Sequence, residues 1–322
     1  MSMRKFRKKW RKFFSKRKGL KIFVICLILA VLAILFIYGS IVYKFYSGIP
    51  DVVPEEEIDS TVPDVQIAEK EQKEDEVINV LLVGTDTRDP NSDMGRSDTM
   101  MMLSYNKTQQ KSTIVSFLRD SLVEIDGYGK TRLGHAYAYG GIGLTINTIN
   151  KTYDLDIQKY ATINFDNLVG VIDQIGGVEV YISEEEAEYY RLCGMPDIQA
   201  GDVTLTGSQA LAHARNRTLG SDFERTRRQR NVMYGVYRKI IAEKDPQAIL
   251  SLITYCMEYV KTNMSVTEIY ELAMEILTVE DLRMQQAALP QEGMYKGISY
   301  QGMSVLEIDV KANKEYLHGL LY

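Results

Sequence analysis

The chain has 322 residues, 45% of them hydrophobic, and a net charge of −5, enough for one large domain or two small ones. The charge is uneven: residues 1–21 hold eleven Lys and Arg and no acid, so the remainder carries −16. An acidic main body argues against nonspecific nucleic-acid binding there, and three cysteines without CxxC or Cys/His spacing argue against a zinc site.

Residues 1–21 form a basic tail with Trp10, Phe13 and Phe14 among the cations. The tail reads as a topology determinant in contact with anionic lipid. Nucleic-acid binding is the sharper alternative, but no helix-turn-helix pattern supports it. Residues 22–43 (Ile22 to Tyr43) are uncharged and nearly all apolar, long enough as a helix to span about 30 Å of hydrocarbon. A signal peptide would have a shorter apolar region and a small-residue cleavage site. An uncleaved single-pass anchor in the cell membrane is therefore expected, with Tyr43-Lys44-Phe45-Tyr46 at the lipid interface. The positive-inside rule puts the N-terminus in the cytoplasm and everything past Lys44 outside. Residues 44–76 are an acidic extracytoplasmic linker. Asp51 to Glu76 holds eleven acids, two Lys and two Pro, too few apolar groups to offset its ordering entropy.

A globular domain is expected over residues 77–322. Val77 to Val83 is a short, β-branched apolar run that reads as a buried strand. Thr99–Tyr105 and Lys111–Leu118 are further strands, joined as a hairpin by Asn106-Lys107-Thr108. Ala136–Tyr153 is helical, interrupted at Gly140-Gly141, and Ala161–Phe165 is a strand. Phe165, Leu168, Val169 and Ile172 make one helical stripe that Gly176-Gly177 ends. Val178–Ile182 alternates as a strand, Glu184–Tyr190 is a short acidic helix, and Ser208–Ala214 is another helix. Asp222 is the expected N-cap of a long helix to about Glu243. Asp245-Pro246 opens the next helix, and Ser265-Val-Thr-Glu268 is a capping box for a helix to Leu277. Arg283–Leu289 is the expected closing strand. Strands alternating with helices imply an α/β fold, a mixed central sheet sandwiched between helices.

Charged residues gather where strands end: Asp86, Arg88 and Asp89 after the first strand, Arg96-Ser97-Asp98 before the second, Arg119-Asp120 after the third. Loops at strand ends carry ligands in α/β sheets. Asp and Arg together suit a phosphate held by guanidinium groups and by a carboxylate-bound Mg²⁺. The competing reading is that these pairs only tie loops together. Between His213 and Arg230, six of eighteen positions are Arg and none is Lys. Arg alone favours a bidentate grip on phosphate, against a surface helix of i,i+4 ion pairs. Arg227, Arg228 and Arg230 fit the second description best and are expected on the helix surface. No GxSxG, HExxH, P-loop or GxGxxG occurs. His213 and His135 lack a nucleophile to serve and are expected to be structural, or hydrogen-bond donors to residues that line the site. Cys193 and Cys256 leave two outcomes open, a disulfide on an exported domain or two separate buried thiols.

Leu82-Val-Gly-Thr-Asp86, Gly95-Arg-Ser-Asp-Thr-Met100, Phe117-Leu-Arg-Asp-Ser121 and Ala136-Tyr-Ala-Tyr-Gly-Gly141 occur in that order. Ile175-Gly-Gly-Val178, Leu205-Thr-Gly207, Gln209 to Arg217 and Asp222 to Gln229 follow. Together these blocks closely resemble the LytR-CpsA-Psr family of cell-wall ligases. The resemblance implies a phosphotransferase that moves an anionic glycopolymer, of teichoic acid or capsular type, from a polyprenyl-pyrophosphate carrier to peptidoglycan at the lipid bilayer. It implies Asp86 and Asp98 as ligands of Mg²⁺, with Mn²⁺ as the alternative ion. Arg96, Arg119, Arg215, Arg217 and Arg225 fall on the family's catalytic and pyrophosphate-binding arginines, and Gln229 on its glutamine. Asp98 and Asp222 are the candidate general bases. Two departures stand out: Phe117-Leu118 where Ile-Pro is usual, and Arg132-Leu-Gly-His135 where Lys-Ile-Asn is usual. A pyrophosphatase and a non-catalytic cell-envelope regulator are the alternative functions.

Overall fold

The computed structural model describes residues 66–68, 76–85, 97–279 and 283–322. The basic tail, the expected anchor, most of the acidic linker, Asp86, Arg96 and the side chain of Asp98 lie outside the described residues. Among the described residues no helix is long and apolar enough to cross a membrane. One piece of the linker is docked: Ala68 N donates to Asn147 Oδ1 at 2.8 Å, Asn147 Nδ2 donates to Gln66 O at 2.9 Å, and Ile67 packs on the core.

The apolar run at the start of the domain is β1 (Val77–Thr85), and it pairs antiparallel with β2 (Ser97–Asn106), which pairs antiparallel with β3 (Lys111–Phe117). A small second sheet begins with the hairpin of β4 (Ser121–Ile125) and β5 (Gly129–Arg132). The kinked helix α1 (His135–Tyr153) follows, then β6 (Lys159–Asn164), parallel to β1. Helix α2 (Phe165–Gln174), β7 (Val178–Ile182), α3 (Glu184–Leu192), β8 (Gly201–Leu205) and α4 (Gly207–Arg215) build a lobe around the β7–β8 ribbon. Long helix α5 (Asp222–Ala242), α6 (Pro246–Met257), β9 (Val260–Thr262), α7 (Val266–Leu277) and β10 (Met284–Leu289) complete the main sheet in the order β10-β3-β2-β1-β6-β9. The sheet is mixed, since β6 and β10 run parallel to their neighbours β1 and β3.

Alternation along the strands explains the continuous hydrophobicity. Leu81, Val83, Met100, Met102, Val115 and Phe117 face one way and share a buried cluster with Ile146, Ile149 and Tyr153 of α1. Leu82, Met101, Leu103 and Ile114 face the other way and meet Met233, Tyr234 and Tyr237 of α5. With helices on both faces, both sides of these strands bury apolar side chains.

Helix ends follow local chemistry. Gly140 (φ −161°, ψ 32°) and Gly141 (φ 63°, ψ −156°) break α1 where the paired glycines sit, and the positive φ of Gly141 is one glycine adopts without steric cost. Ser265 and Glu268 form both halves of the capping box of α7. The N-cap of α5 is Ser221 rather than Asp222. Asp222 is instead the first helical residue, its carboxylate meets two guanidinium groups described below, and an acid in the first turn still favours the helix dipole.

The chain also does not close on β10. β11 (Tyr295–Tyr300) and β12 (Met303–Ile308) form a hairpin across Gln301 and Gly302, both at positive φ (49° and 78°), and α8 (Val310–Leu321) follows. β12 joins β4 through Leu306–Ser121 and Glu307–Leu122, giving the second sheet the order β11-β12-β4-β5.

Candidate active site

Antiparallel pairing brings the end of β1, the start of β2 and the end of β3 to one edge of the main sheet. The parallel strand β6 ends there too, with Asn164 opposite Thr85. Thr85 also pairs with Ser97 after an irregularity at Gly84/Thr85. Asp98 is the residue of β2 that follows Ser97.

Arg119 follows β3 directly. Gly134 holds it from behind: its N–H donates to Arg119 O at 2.9 Å, and a Cβ on Gly134 would sit 3.0 Å from Arg119 Cβ. The glycine that stands in place of the family's usual Asn therefore gives Arg119 a backbone contact at close range. Arg119 Nη2 lies 3.8 Å from Asp222 Oδ1, and the same oxygen takes Arg225 Nη2 at 2.8 Å. Arg225 is buried. One carboxylate thus holds two guanidinium groups side by side. Asp222 Oδ2 is buried and accepts no hydrogen bond among the described residues, so it retains acceptor capacity. Asp120 lies 4.0 Å from Arg119 Nε through Oδ2 and 3.4 Å from Arg132 Nε through Oδ1, while Arg132 Nη2 donates to Ser304 O at 2.7 Å. The pair with Arg132 ties the second sheet to the Arg119 loop, so the loop-tying reading applies to Asp120.

Arg215 ends α4 with its Cζ 4.8 Å above the ring of Phe165, the first residue of α2. This cation–π contact belongs to the same sheet edge: a Cβ on Gly84 would lie 3.7 Å from Phe165 Cε1 and 3.2 Å from Thr99 Cβ. The sequence places Phe165 at a strand end and in an apolar helical stripe; the strand ends at Asn164 and Phe165 opens α2.

Arg217 is exposed, on the turn between α4 and α5. Buried groups fix that turn. Arg228 Nη2 donates to Asn216 O (2.7 Å) and Leu219 O (2.8 Å), and its Nη1 reaches Glu186 Oε1 at 3.4 Å. Asn216 Oδ1 accepts from Thr218 N and Leu219 N. Gln229 is buried, and its Nε2 is 3.4 Å from Ala214 O. His213 is buried with Nδ1 2.8 Å from Tyr190 Oη. Burial, opposed by Glu186 and reinforced by Arg228 and Arg227, pushes its pKa down to about 4. It is structural, as the sequence suggested. Glu186, also capping α3 with Ser183, is the acid facing this cluster.

The surface expectation holds for Arg227, which is exposed and paired with Glu224 at 2.6 Å. It fails for Arg228 and Arg230, both buried. Backbone carbonyls and strand β3, not surface acids, receive them. Cys193 is exposed, Cys256 is partly buried, and both are free thiols. Of the two open outcomes the structure has neither the disulfide nor a pair of buried thiols. A cleft of about 580 Å³ on the second sheet, bordered by Lys130, Lys151, Lys296 and Glu307, contains none of the proposed site residues.

The LytR_cpsA_psr family model matches residues 47–316. The chain belongs to the LytR-CpsA-Psr family. It is 30% identical over 302 residues to the polyisoprenyl-teichoic acid–peptidoglycan teichoic acid transferase TagU of Enterococcus faecalis, covering 90% of this chain and 95% of that protein. The fold is similar to a solved structure described as TagT bound to LIIa-WTA, at a TM-score of 0.64 and 25% identity, over 80% of this chain and 99% of that one. It is also similar to YwtF (TagT) with bound octaprenyl pyrophosphate lipid, at a TM-score of 0.61 and 24% identity, over 80% and 99%. Membership in the LytR-CpsA-Psr family accounts for the order of the sequence blocks. The geometry adds which of their arginines converge.

Proposed function

We propose that the protein is a membrane-anchored phosphotransferase. It moves an anionic glycopolymer, of teichoic acid or capsular type, from a polyprenyl-pyrophosphate carrier to peptidoglycan outside the cell. The carrying observation is the pair of guanidinium groups of Arg119 and Arg225 on Asp222 Oδ1, at the sheet edge where Arg215 stacks on Phe165. Fixed forks of donors in a partly buried setting suit a pyrophosphate better than a single charge does. The relative named TagU and the TagT structures support the same substrate class.

In this reading Arg96, Arg119, Arg215, Arg217 and Arg225, with Gln229, grip the pyrophosphate oxygens. A hydroxyl oxygen of peptidoglycan attacks the phosphorus attached to the polymer's sugar and forms a new P–O bond. The bond from that phosphorus to the bridging oxygen breaks, and the bridging oxygen keeps the electron pair and leaves as polyprenyl phosphate. The hydroxyl proton passes to a carboxylate. Asp98 is one candidate, and Asp222, whose Oδ2 has no hydrogen-bond partner among the described residues, is the other. Positioning and charge neutralisation do most of the work in such a transfer. Carboxylate oxygens are the ligands a small hard cation takes. Asp86 and Asp98 would hold it, and Mg²⁺ there would neutralise charge on the phosphates. The lipid tail takes the α5 side of the sheet, where Leu82, Leu103, Met233, Tyr234 and Tyr237 are only partly buried.

Residues 22–43 anchor the chain in the bilayer, and the acidic linker holds the domain off it. The test supplies labelled carrier-linked polymer to the full-length protein with and without peptidoglycan. Label becoming covalently attached to peptidoglycan supports the proposal, and release of free polymer in both reactions overturns it.

A further inference from the structure

Among the described residues Arg230 has no ion-pair partner. It lies two turns into α5 from Asp222, on the side that faces the sheet, and is 7% exposed. Nη1 donates to Ser116 Oγ on β3 at 2.9 Å, and the buried Nε has no partner among the described residues. Its neighbours in the run are matched: Arg225 with Asp222, Arg227 with Glu224, Arg228 with Glu186. Burial, and then the charge of Arg227, push the Arg230 guanidinium down to about 10. The field of Glu224 opposes this, but that carboxylate is bonded to Arg227. A guanidinium remains charged at that value, and a buried charge without a partner opposes folding.

Its position suggests why the cation stays. Along α5, the charged and polar residues Asp222, Arg225 and Gln229 come before it in the chain, and the apolar-cluster residues Met233, Tyr234 and Tyr237 come after it. Along β3, its partner Ser116 falls between Ile114, which belongs to the apolar cluster under α5, and Arg119. Both elements therefore change from charged to apolar at the Arg230–Ser116 contact. A polyprenyl pyrophosphate changes the same way, at the phosphate that carries the lipid.

We infer that Arg230, oriented by Ser116, is a further phosphate-binding residue that takes the lipid-side phosphate of the carrier. The inference rests on the transferase reading above. In the transfer step the bridging oxygen departs with that phosphate and adds negative charge to it. Arg230 is placed to neutralise the charge that leaves, while the other arginines hold the phosphate that is transferred. The missing counter-ion is then the substrate itself.

The test uses the full-length protein in nanodiscs, with geranylgeranyl pyrophosphate, geranylgeranyl monophosphate and inorganic pyrophosphate as probes in calorimetric titrations. In Arg230→Met, affinity for the monophosphate should fall tenfold or more, and kcat for transfer at saturating carrier should fall at least as far. Affinity for inorganic pyrophosphate should fall less. The unliganded melting temperature should stay level or rise, since an unpaired buried charge has gone. Arg230→Lys should recover part of the affinity. Unchanged monophosphate affinity and transfer in Arg230→Met would overturn the inference. So would a lowered melting temperature with unchanged monophosphate affinity, the mark of a purely structural residue. Should Arg230→Met fail to fold, Arg230→Gln, which keeps a donor for Ser116, must show the same tenfold loss. If the wild type binds neither prenyl phosphate, the transferase reading fails and takes this inference with it. Wild-type binding that Arg230→Met retains defeats the inference alone.

Discussion

Replacing Arg228 by Met should destabilise the protein far more than replacing its neighbour Arg227 by Ala. Arg228 is 2% exposed and serves three acceptors at once, Asn216 O, Leu219 O and Glu186. Met fills most of the volume but donates nothing, so two carbonyls and a carboxylate lose their partner. Breaking a buried, hydrogen-bonded charge pair from one side costs about 3–5 kcal/mol. For a domain of this size each kcal/mol shifts the midpoint by about 2–4 °C, so a fall of roughly 6–20 °C is expected. Arg227 is exposed with one exposed partner, and such pairs contribute about 0–1 kcal/mol. Differential scanning calorimetry of the two full-length variants makes the comparison. The double variant Arg228→Met with Glu186→Leu should lose less than the two singles added together, because it leaves no stranded charge. A midpoint for Arg228→Met within about 2 °C of Arg227→Ala would show that the buried network does not hold the turn, and the account of how Arg217 is positioned would fall with it.

Three further outcomes are expected. Arg217→Lys keeps the charge but loses the fork, and transfer should drop roughly ten- to a hundredfold, the equivalent of one or two charge-assisted hydrogen bonds; wild-type rates would rule out a bidentate role. Gly207→Ala should unfold or strongly destabilise the lobe, because its Cβ would meet Val169 O at 2.2 Å; an unchanged melting curve would mean that α4 is not seated on α2 as described. His213 is held neutral, its folded pKa lowered to about 4 mainly by burial, so the unfolded state takes up its proton first as pH falls. Its contribution to stability is complete above the ordinary histidine range of about 6.5 and is lost as pH falls toward the folded value. The melting temperature should accordingly fall faster over that window in wild type than in His213→Gln, and parallel profiles would refute the assignment.

What the sequence made legible was mostly local. Val77–Val83 could only be a strand covered on both faces, and Ser265 with Glu268 announced a helix start that both hydrogen bonds of the capping box now make. Gly140-Gly141 marked the break in α1. The second sheet was hidden because it is held by contacts distant in sequence. β12 reaches β4 through two residue pairs, and its hairpin turn is Gln301-Gly302, not a strong turn dipeptide. Asp222 was legible as a residue at the start of α5, but its carboxylate meets Arg225 one turn on and Arg119 from beyond β3, so its role as a cap was a reasonable local inference and a wrong one. The arginine run shows the same limit. Arg227, Arg228 and Arg230 share one expectation in the sequence, yet Arg227 is solvated, Arg228 is a structural pillar with its acid 42 residues back, and Arg230 faces the sheet. The partners that sort them are backbone carbonyls and a serine on β3, which no local pattern reveals.

The central proposal is transfer to a sugar hydroxyl rather than hydrolysis, and oxygen isotopes decide it directly. The full-length protein, carrier-linked polymer and peptidoglycan are incubated in ¹⁸O-labelled water, and the phosphate attached to the polymer is analysed by mass spectrometry. Transfer predicts a phosphodiester on peptidoglycan with no ¹⁸O from water. One ¹⁸O on a free polymer phosphate would contradict it and make the protein a pyrophosphate hydrolase.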